Sequence, residues 1–306
     1  MSIEKDQVCV LIPTLNEAPT IGGLINEFIS LGFRNVLVID GHSSDATRKI
    51  ASQAGARVIT QEGRGKGNAI IEAFALIDEP YLLMIDGDGT YSPDDAERML
   101  EPLATGSAHV IGNRLTDENR SAFSRLNYAG NQILNRLFKL AHGRFLNDIL
   151  SGYRAFTRES VRQMRLKESG FGIETEISAE AVRNNMEIFI VPIKYGQRSG
   201  TPTKLNPFHD GLKITTTIYK LAKMSNPLFY FGLIGVIIMI AGFLSGAYVL
   251  LEWLRSVEHI PLTILTVLLI VIGFQIFMFG VISDMLLAFH RELVNEIHEA
   301  RREGRK

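Results

Sequence analysis

Tyr81-Leu82-Leu83-Met84-Ile85-Asp86-Gly87-Asp88-Gly89-Thr90-Tyr91 is an apolar run that ends in two acids separated by one glycine. A short, continuously apolar segment reads as a buried strand, and the small residues after it read as a turn. Open α/β sheets bind ligands outside the carboxyl ends of their strands. Alternating acids at such a place offer hard oxygen ligands to a divalent cation, and that cation can grip a diphosphate. A D-x-D triplet also occurs in ordinary solvated turns, so its weight depends on what surrounds it.

The surroundings repeat the pattern. Val8–Ile12 reads as a strand ending at Pro13-Thr14-Leu15-Asn16-Glu17, and Thr20–Leu31 as a helix with Ile21, Leu24, Ile25 and Phe28 along one face. Asn35–Ile39 is a second strand that runs into Asp40-Gly41-His42-Ser43-Ser44-Asp45, where Ser44 or Asp45 suits a cap for a helix near Ala46. Arg57–Thr60 is a short third strand. Gly63-Arg64-Gly65-Lys66-Gly67-Asn68 opens a helix over Ala69–Ile77, and a glycine-rich turn with a lysine can approach phosphate closely. Ser92-Pro93 with Asp94 and Asp95 reads as a helix start, and Ala108–Gly112 as another strand, closed by Asn113-Arg114. Strands alternating with helices predict a doubly wound α/β domain. Asn16-Glu17, Asp40, Asp86-Gly87-Asp88 and Asn113-Arg114 then describe one crevice rim.

The charges nearly cancel over 306 residues, with 32 Lys and Arg against 33 Asp and Glu, so no global field points to nucleic acid. The single cysteine, Cys9, has no internal partner for a disulfide, which fits a reducing compartment. Glu4, Lys5 and Asp6 precede the first apolar run, which is unlike a signal peptide. Residues 228–251 and 260–283 contain no Asp, Glu, Lys or Arg. Each is long enough as a helix to cross a hydrocarbon core of ~30 Å. The short linker Glu252–His259 makes them a transmembrane hairpin. Lys213, Lys220 and Lys223 precede the hairpin, Arg291, Arg301, Arg302, Arg305 and Lys306 follow it, and the linker carries only Arg255. The positive-inside rule therefore places both termini and the N-terminal domain on the cytoplasmic side. Arg120–Gly143 has apolar residues at helical spacing with Arg125, Arg136 and Lys139 among them. It suits either core packing or a helix lying in the membrane interface. Phe208–Lys223 suits a second interfacial helix whose lysines snorkel. Asp284–Arg302 reads as a charged helix continuing out of the bilayer. The expected divisions are residues 1–204, a juxtamembrane segment 205–227, the hairpin 228–283 and a cytoplasmic helix 284–306.

Pro13-x-x-Asn16-Glu17, Asp40 with Asp45, Gly65-Lys66-Gly67 and Asp86-x-Asp88 resemble the family 2 glycosyltransferases of GT-A fold. Gly112-x-Arg114, Asp148-x-x-Ser151-Gly152-Tyr153-Arg154 and Tyr195-Gly196-x-Arg198-x-Gly200-x-x-x-Lys204-Leu205 narrow the resemblance. They resemble the polyprenyl-phosphate branch, the dolichyl-phosphate mannose and glucose synthases, and in look the archaeal enzymes of protein N-glycosylation. The resemblance covers roughly residues 7–225. It implies that Pro13, Leu15, Glu17 and Asp40 hold the nucleotide's base and ribose, with Lys66, Asp86 and Gly87 nearby. Asp88 is the implied principal ligand of Mg²⁺ or Mn²⁺, with Asp86 and Thr90 beside it and donor phosphates and water completing the shell. Many mannose synthases carry glutamine where this chain has Thr90, and a hydroxyl is a weaker neutral ligand than an amide. Arg114, Arg125, Arg198 and Lys204 are the implied cations for the acceptor phosphate and the donor diphosphate, and Asp148 and Arg154 are expected to pair.

The implied reaction is an inverting transfer of one sugar from a UDP- or GDP-hexose to dolichyl phosphate, with Asp88, Arg198 and Lys204 central. A phosphate monoester is already anionic at neutral pH, so it needs positioning more than a general base. His42 and His109 lie outside the motifs. Glu174 and Glu176 suit binding of sugar hydroxyls or orientation of a basic residue. The rival expectations are transfer to undecaprenyl phosphate or to a lipid-linked sugar, and a non-catalytic nucleotide-binding anchor.

Overall fold

In a computed structural model, the backbone is described for residues 3–170, 172–197 and 207–303. Arg198 and Lys204 lie outside the described residues. In chain order the elements are β1 Val8–Thr14, α1 Ala18–Ser30, β2 Asn35–Asp40, α2 Thr47–Gln53, β3 Arg57–Thr60, α3 Lys66–Leu76 and β4 Tyr81–Met84. There follow α4 Ala96–Ala104, β5 His109–Asn113, α5 Arg125–His142, β6 Arg154–Thr157, α6 Arg158–Gln163, α7 Ile173–Arg183 and β7 Ile188–Pro192. Three further helices, α8 Pro207–Ser225, α9 Pro227–Trp253 and α10 Ile260–Glu303, complete the described chain.

The seven strands form one sheet in the order β3-β2-β1-β4-β6-β5-β7. β1 pairs in parallel with β2 and β4, whereas β6 runs antiparallel between β4 and β5. The sheet is therefore mixed, because β6 enters it from the opposite direction to its neighbours. All seven residues of β1 are buried, as a central strand covered on both faces requires. Val8, Val10 and Ile12 share one face with Val36 and Val38 and pack against Ile21, Leu24, Ile25 and Phe28 of α1. That spacing along α1 is the helical period expected from the sequence. The sheet order sets the tip of β4, and with it Asp86 and Asp88, beside the tip of β1.

The chain folds as two compact units, residues 1–218 and 219–306, with the division inside α8. In the second unit, α9 and the first part of α10 (residues 260–289) are long and apolar enough to span a membrane. They approach through glycines: a Cβ on Gly235 would lie 2.6 Å from the Gly273 carbonyl, and one on Gly273 2.8 Å from the Gly235 carbonyl. Small residues allow such close helix packing where apolar surface alone gives no preference over lipid. A hydrogen bond of 2.8 Å between Ser245 and Thr266 adds a polar tie across the pair.

Candidate active site

The turns after β1 and β2 are laced together. The Asn16 amide donates to Ser43 Oγ (2.8 Å), the Ser44 amide to Asn16 Oδ1 (2.8 Å) and the Glu17 amide to Thr47 Oγ1 (2.8 Å). Asp40 is fully buried and accepts from the Ser43 amide at 2.8 Å. The cap position of α2 falls at Ala46, one residue later than expected, while Asp45 Oδ1 still accepts from the first helical amide, Thr47, at 3.0 Å. In the β1–β2 register Pro13 sits opposite Ile39 and Thr14 opposite Asp40. Leu15 is 41% exposed beside these buried neighbours. Glu17 is buried at the start of α1.

The acid turn docks on that framework. Thr20 Oγ1 donates to the Gly87 carbonyl at 2.6 Å, and a Cβ on Gly87 would lie 2.8 Å from the Thr14 methyl. Thr90, buried, donates to Asp88 Oδ1 through its hydroxyl (2.6 Å) and its amide (3.1 Å). Lys66 Nζ lies 2.6 Å from Asp86 Oδ1 and 2.6 Å from Glu174 Oε1. Burial by itself lowers the Lys66 pKa, but the two carboxylates outweigh it and hold the ammonium well above its usual range.

The glycine-rich turn differs from expectation. Helix α3 begins at Lys66, not Ala69, and the Gly67 amide donates to the Ser169 carbonyl at 3.0 Å. A Cβ on Gly65 would collide with the Ser169 carbonyl, and one on Gly67 with the Glu168 carbonyl. These glycines therefore admit a neighbouring backbone segment, and Lys66 contacts two carboxylates. Glu174 orients Lys66, the second of its two sequence readings. Glu176 instead accepts from the Lys167 (2.9 Å) and Glu168 (2.7 Å) amides, fixing the same segment.

The Asp148–Arg154 pairing is corrected too. Asp148 takes a bidentate bond from Arg114, with Nε to Oδ2 and Nη2 to Oδ1 both at 2.8 Å, and a third bond from the Arg114 amide. Burial opposes the Arg114 charge, and Asp148 outweighs it and raises the pKa. Arg154, fully buried, donates to the carbonyls of Ser151 (2.8 Å) and Ile149 (2.7 Å) and to Ser178 Oγ (3.0 Å). Burial pulls its pKa down to about 10, with Glu174 and Asp148 acting in the other direction. A short arginine-containing motif does not say which arginine folds back onto the acid. That choice depends on β6 running antiparallel.

Several contacts tie the acid turn to the strand that precedes Arg198. Tyr91 bridges Tyr195, and the Gly196 amide donates to the Thr90 carbonyl at 2.7 Å. Asn119 accepts from the Tyr195 amide (3.0 Å) and donates to the Ile193 carbonyl (2.7 Å), while Asp95 accepts from the Lys194 amide (2.7 Å). The Arg114 guanidinium lies 5.2 Å from the Tyr195 ring centre, a cation–π approach. Nothing in the sequence pattern singles out Asn119 or Asp95 for this clamp. Arg125 opens α5 and is exposed, with Ser124 accepting from the Asn127 amide as its cap.

Among the described residues, no three His, Cys, Asp or Glu side chains form a metal-ligand group. A cation at the acid turn would therefore draw one or two carboxylate oxygens from the chain. That fits Mg²⁺ or Mn²⁺, which keep waters and share substrate phosphates. Asp88 fits this role, with one oxygen oriented by Thr90.

A central parallel sheet with one reversed strand and an acid turn at its carboxyl rim defines the GT-A class of nucleotide-sugar enzymes. The model of glycosyl transferase family 2 matches residues 9–165, and the chain belongs to that family. It is 48% identical over 297 residues to Glycosyltransferase AglJ of Haloferax volcanii, spanning 96% of this chain and 98% of that one. A Dolichyl-phosphate hexose transferase of the same organism is 34% identical over 218 residues, covering 71% of this chain and 94% of the relative. Among solved structures, glucosyl-3-phosphoglycerate synthase from Mycobacterium tuberculosis in complex with uridine diphosphate aligns with a TM-score of 0.59. That alignment covers 71% of this chain and 80% of the other at 22% identity, a likeness of fold.

Proposed function

We propose that this glycosyltransferase moves one hexose from a nucleotide donor, UDP-linked in our reading, to dolichyl phosphate at the cytoplasmic membrane face, with inversion. The observation that carries this reading is the joining of an acid-turn crevice to two apolar spans in one chain. Similarity to a Dolichyl-phosphate hexose transferase over 94% of its length supports the acceptor, and a structural neighbour solved with Mn²⁺ and UDP-glucose supports the donor and metal classes.

In this reading Leu15, Pro13, Glu17 and Asp40 bound the base and ribose, and Asp88 holds Mg²⁺ or Mn²⁺. When bound, that cation offsets charge on the departing nucleoside diphosphate. Arg114, fixed by Asp148, stands at the stem of the segment that carries Arg198 and Lys204, which we assign to the acceptor phosphate. The phosphate oxygen attacks the anomeric carbon as the donor phosphate leaves, so one displacement inverts the configuration. No general base is required, because the acceptor oxygen is already anionic. The histidines noted in the sequence are engaged elsewhere: His42 Nε2 lies 3.0 Å from the Gly63 carbonyl, and His109 is buried against Arg154 and Phe156.

Helix α5 fits a place in the headgroup layer. Leu134 and Phe138 are buried, whereas Leu126, Ile133 and Leu140, seven residues apart, are exposed. Arg125, Arg136 and Lys139 lie along one side of that stripe, and the helix contains no acid. Such a face suits an anionic membrane surface.

The test is incubation of detergent-purified, full-length protein with dolichyl phosphate, Mg²⁺ or Mn²⁺, and each of several nucleotide sugars. One donor is expected to give a lipid heavier by one hexose residue. Absence of product with every donor would overturn the reading.

A further inference from the structure

Behind the acid turn the buried charges alternate in sign. Arg154 donates to Ser178 Oγ, and Ser178 Oγ donates to the Glu174 carbonyl at 2.8 Å. The charges of Arg154 and Glu174 favour one another. Glu174 is 4% exposed in the first turn of α7, where the positive end of the helix dipole suits a carboxylate. Its Oε1 holds Lys66, and Lys66 holds Asp86. On the other side of Asp86 lies Gly152, where any Cβ would overlap the carboxylate. The Gly152 amide donates to the Tyr91 hydroxyl at 2.8 Å, which fixes the glycine in turn. Asp86 is therefore gripped from two sides, and among the described residues the Lys66 side is the one on which a second charge, Glu174, sets the strength of the grip.

We propose that Glu174 is a positioning residue for the nucleotide donor, acting through Lys66 to keep the Asp86 carboxylate at the crevice rim. The inference rests on the nucleotide-donor reading of that rim. With Glu174 present, the Lys66 charge is divided between two carboxylates, and Asp86 keeps net negative character toward the crevice. With a neutral amide at position 174, the ammonium is left to Asp86 alone, draws it inward and cancels its charge. The predicted loss is in donor binding, because Glu174 touches neither the acid turn's Asp88 nor the stem beside Arg114.

The experiment is calorimetric binding of UDP and of GDP, with Mn²⁺, to full-length protein in detergent. It compares wild type, Glu174→Gln, Asp86→Asn and the double variant, beside steady-state kinetics. Glu174→Gln is expected to weaken nucleotide binding about tenfold, or about 1.4 kcal/mol, and to raise KM for the donor with kcat within about twofold. The double variant is expected to bind no more weakly than Asp86→Asn alone, the non-additivity of residues acting through one contact. Lys66→Met removes the tether itself: the Asp86 carboxylate keeps its charge and loses the contact that holds its position. It is expected to weaken binding through lost positioning, and it decides the matter if Glu174→Gln does not fold. Wild-type binding in Glu174→Gln or Lys66→Met, or fully additive losses in the double variant, overturns the proposal alone. A loss of kcat without a change in binding also overturns it. A wild-type protein that binds neither UDP nor GDP overturns the donor reading and the proposal with it.

Discussion

The crevice rim and the apolar hairpin solve the problem of close packing in opposite ways. At the rim, charged side chains are buried or half-buried and every one of the key carboxylates is assigned a partner: Asp148 to Arg114, Asp86 and Glu174 to Lys66, Asp88 to Thr90. Such pairs contribute little net stability compared with apolar replacements, and their loss leaves an uncompensated charge. They serve instead to fix geometry where a charged substrate must be met. In the hairpin the close contacts are glycines against the facing helix, with an edge-to-face pair of Phe231 and Phe279, one hydroxyl pair and no ion pair crossing between the spans among the described residues. Rim geometry is specified by individual residues, and hairpin geometry by small volume at a few positions. Substitutions should therefore affect the first through function and the second through packing.

The largest expected effect is at Asp88. Asp88→Asn removes the charge of the proposed cation ligand from a half-buried turn while keeping its shape. Turnover is expected to fall about a thousandfold, or about 4 kcal/mol of transition-state stabilisation. Mn²⁺ binding with UDP, followed by electron paramagnetic resonance, is expected to weaken, and the melting temperature to change little. Wild-type turnover in this variant would break the contrast between rim and hairpin.

A smaller effect concerns acid. His142, at the end of α5, is held near neutral form by burial, which lowers its pKa from 6.5 to about 4, with a backbone contact at Ile218 acting the other way. Its folded pKa lies below its unfolded one, so its contribution is complete above pH 6.5 and is lost as pH falls toward 4. The full difference is about 3 kcal/mol. Thermal melts of the wild type are expected to decline over this window. His142→Gln, which does not titrate, is expected to flatten that decline, and an unchanged pH dependence would contradict the assignment.

The smallest effect lies in the hairpin. Gly235→Ala places a methyl group against the Gly273 carbonyl, so the two helices must separate slightly. The expected outcome is a melting temperature lowered by a few degrees, about 1 kcal/mol, with UDP affinity unchanged. A change in UDP affinity equal to that of a rim variant would show that the two regions are not separable in this way.

The parts of the fold legible in the sequence follow from periodicity and composition. β3 runs over Arg57–Thr60 as expected, α1 buries the four apolar residues that mark its face, and both apolar spans form helices. Strands β6 and β7 are not legible in this way. Arg154-Ala155-Phe156-Thr157 is four residues long and begins with a charged side chain, and β7 is a short edge strand with exposed positions, including Phe189. Neither carries a strong period, and both depend on tertiary pairing. The site is legible as an ordered set of polar turns, but not as a set of partners. Glu174 reaches Lys66, and Arg114 rather than Arg154 takes Asp148, only because the sheet order brings distant segments together. Arg198 and Lys204 remain assigned from the motif alone.

The most direct measurement is the structure of the lipid product made by the purified enzyme from dolichyl phosphate and its preferred donor. Mass spectrometry with proton and phosphorus magnetic resonance would identify the new bond and the anomeric configuration. The account predicts a single sugar joined to the lipid through a phosphodiester, with configuration opposite to that in the donor. A retained configuration, or a sugar attached to another sugar in place of phosphate, would contradict it.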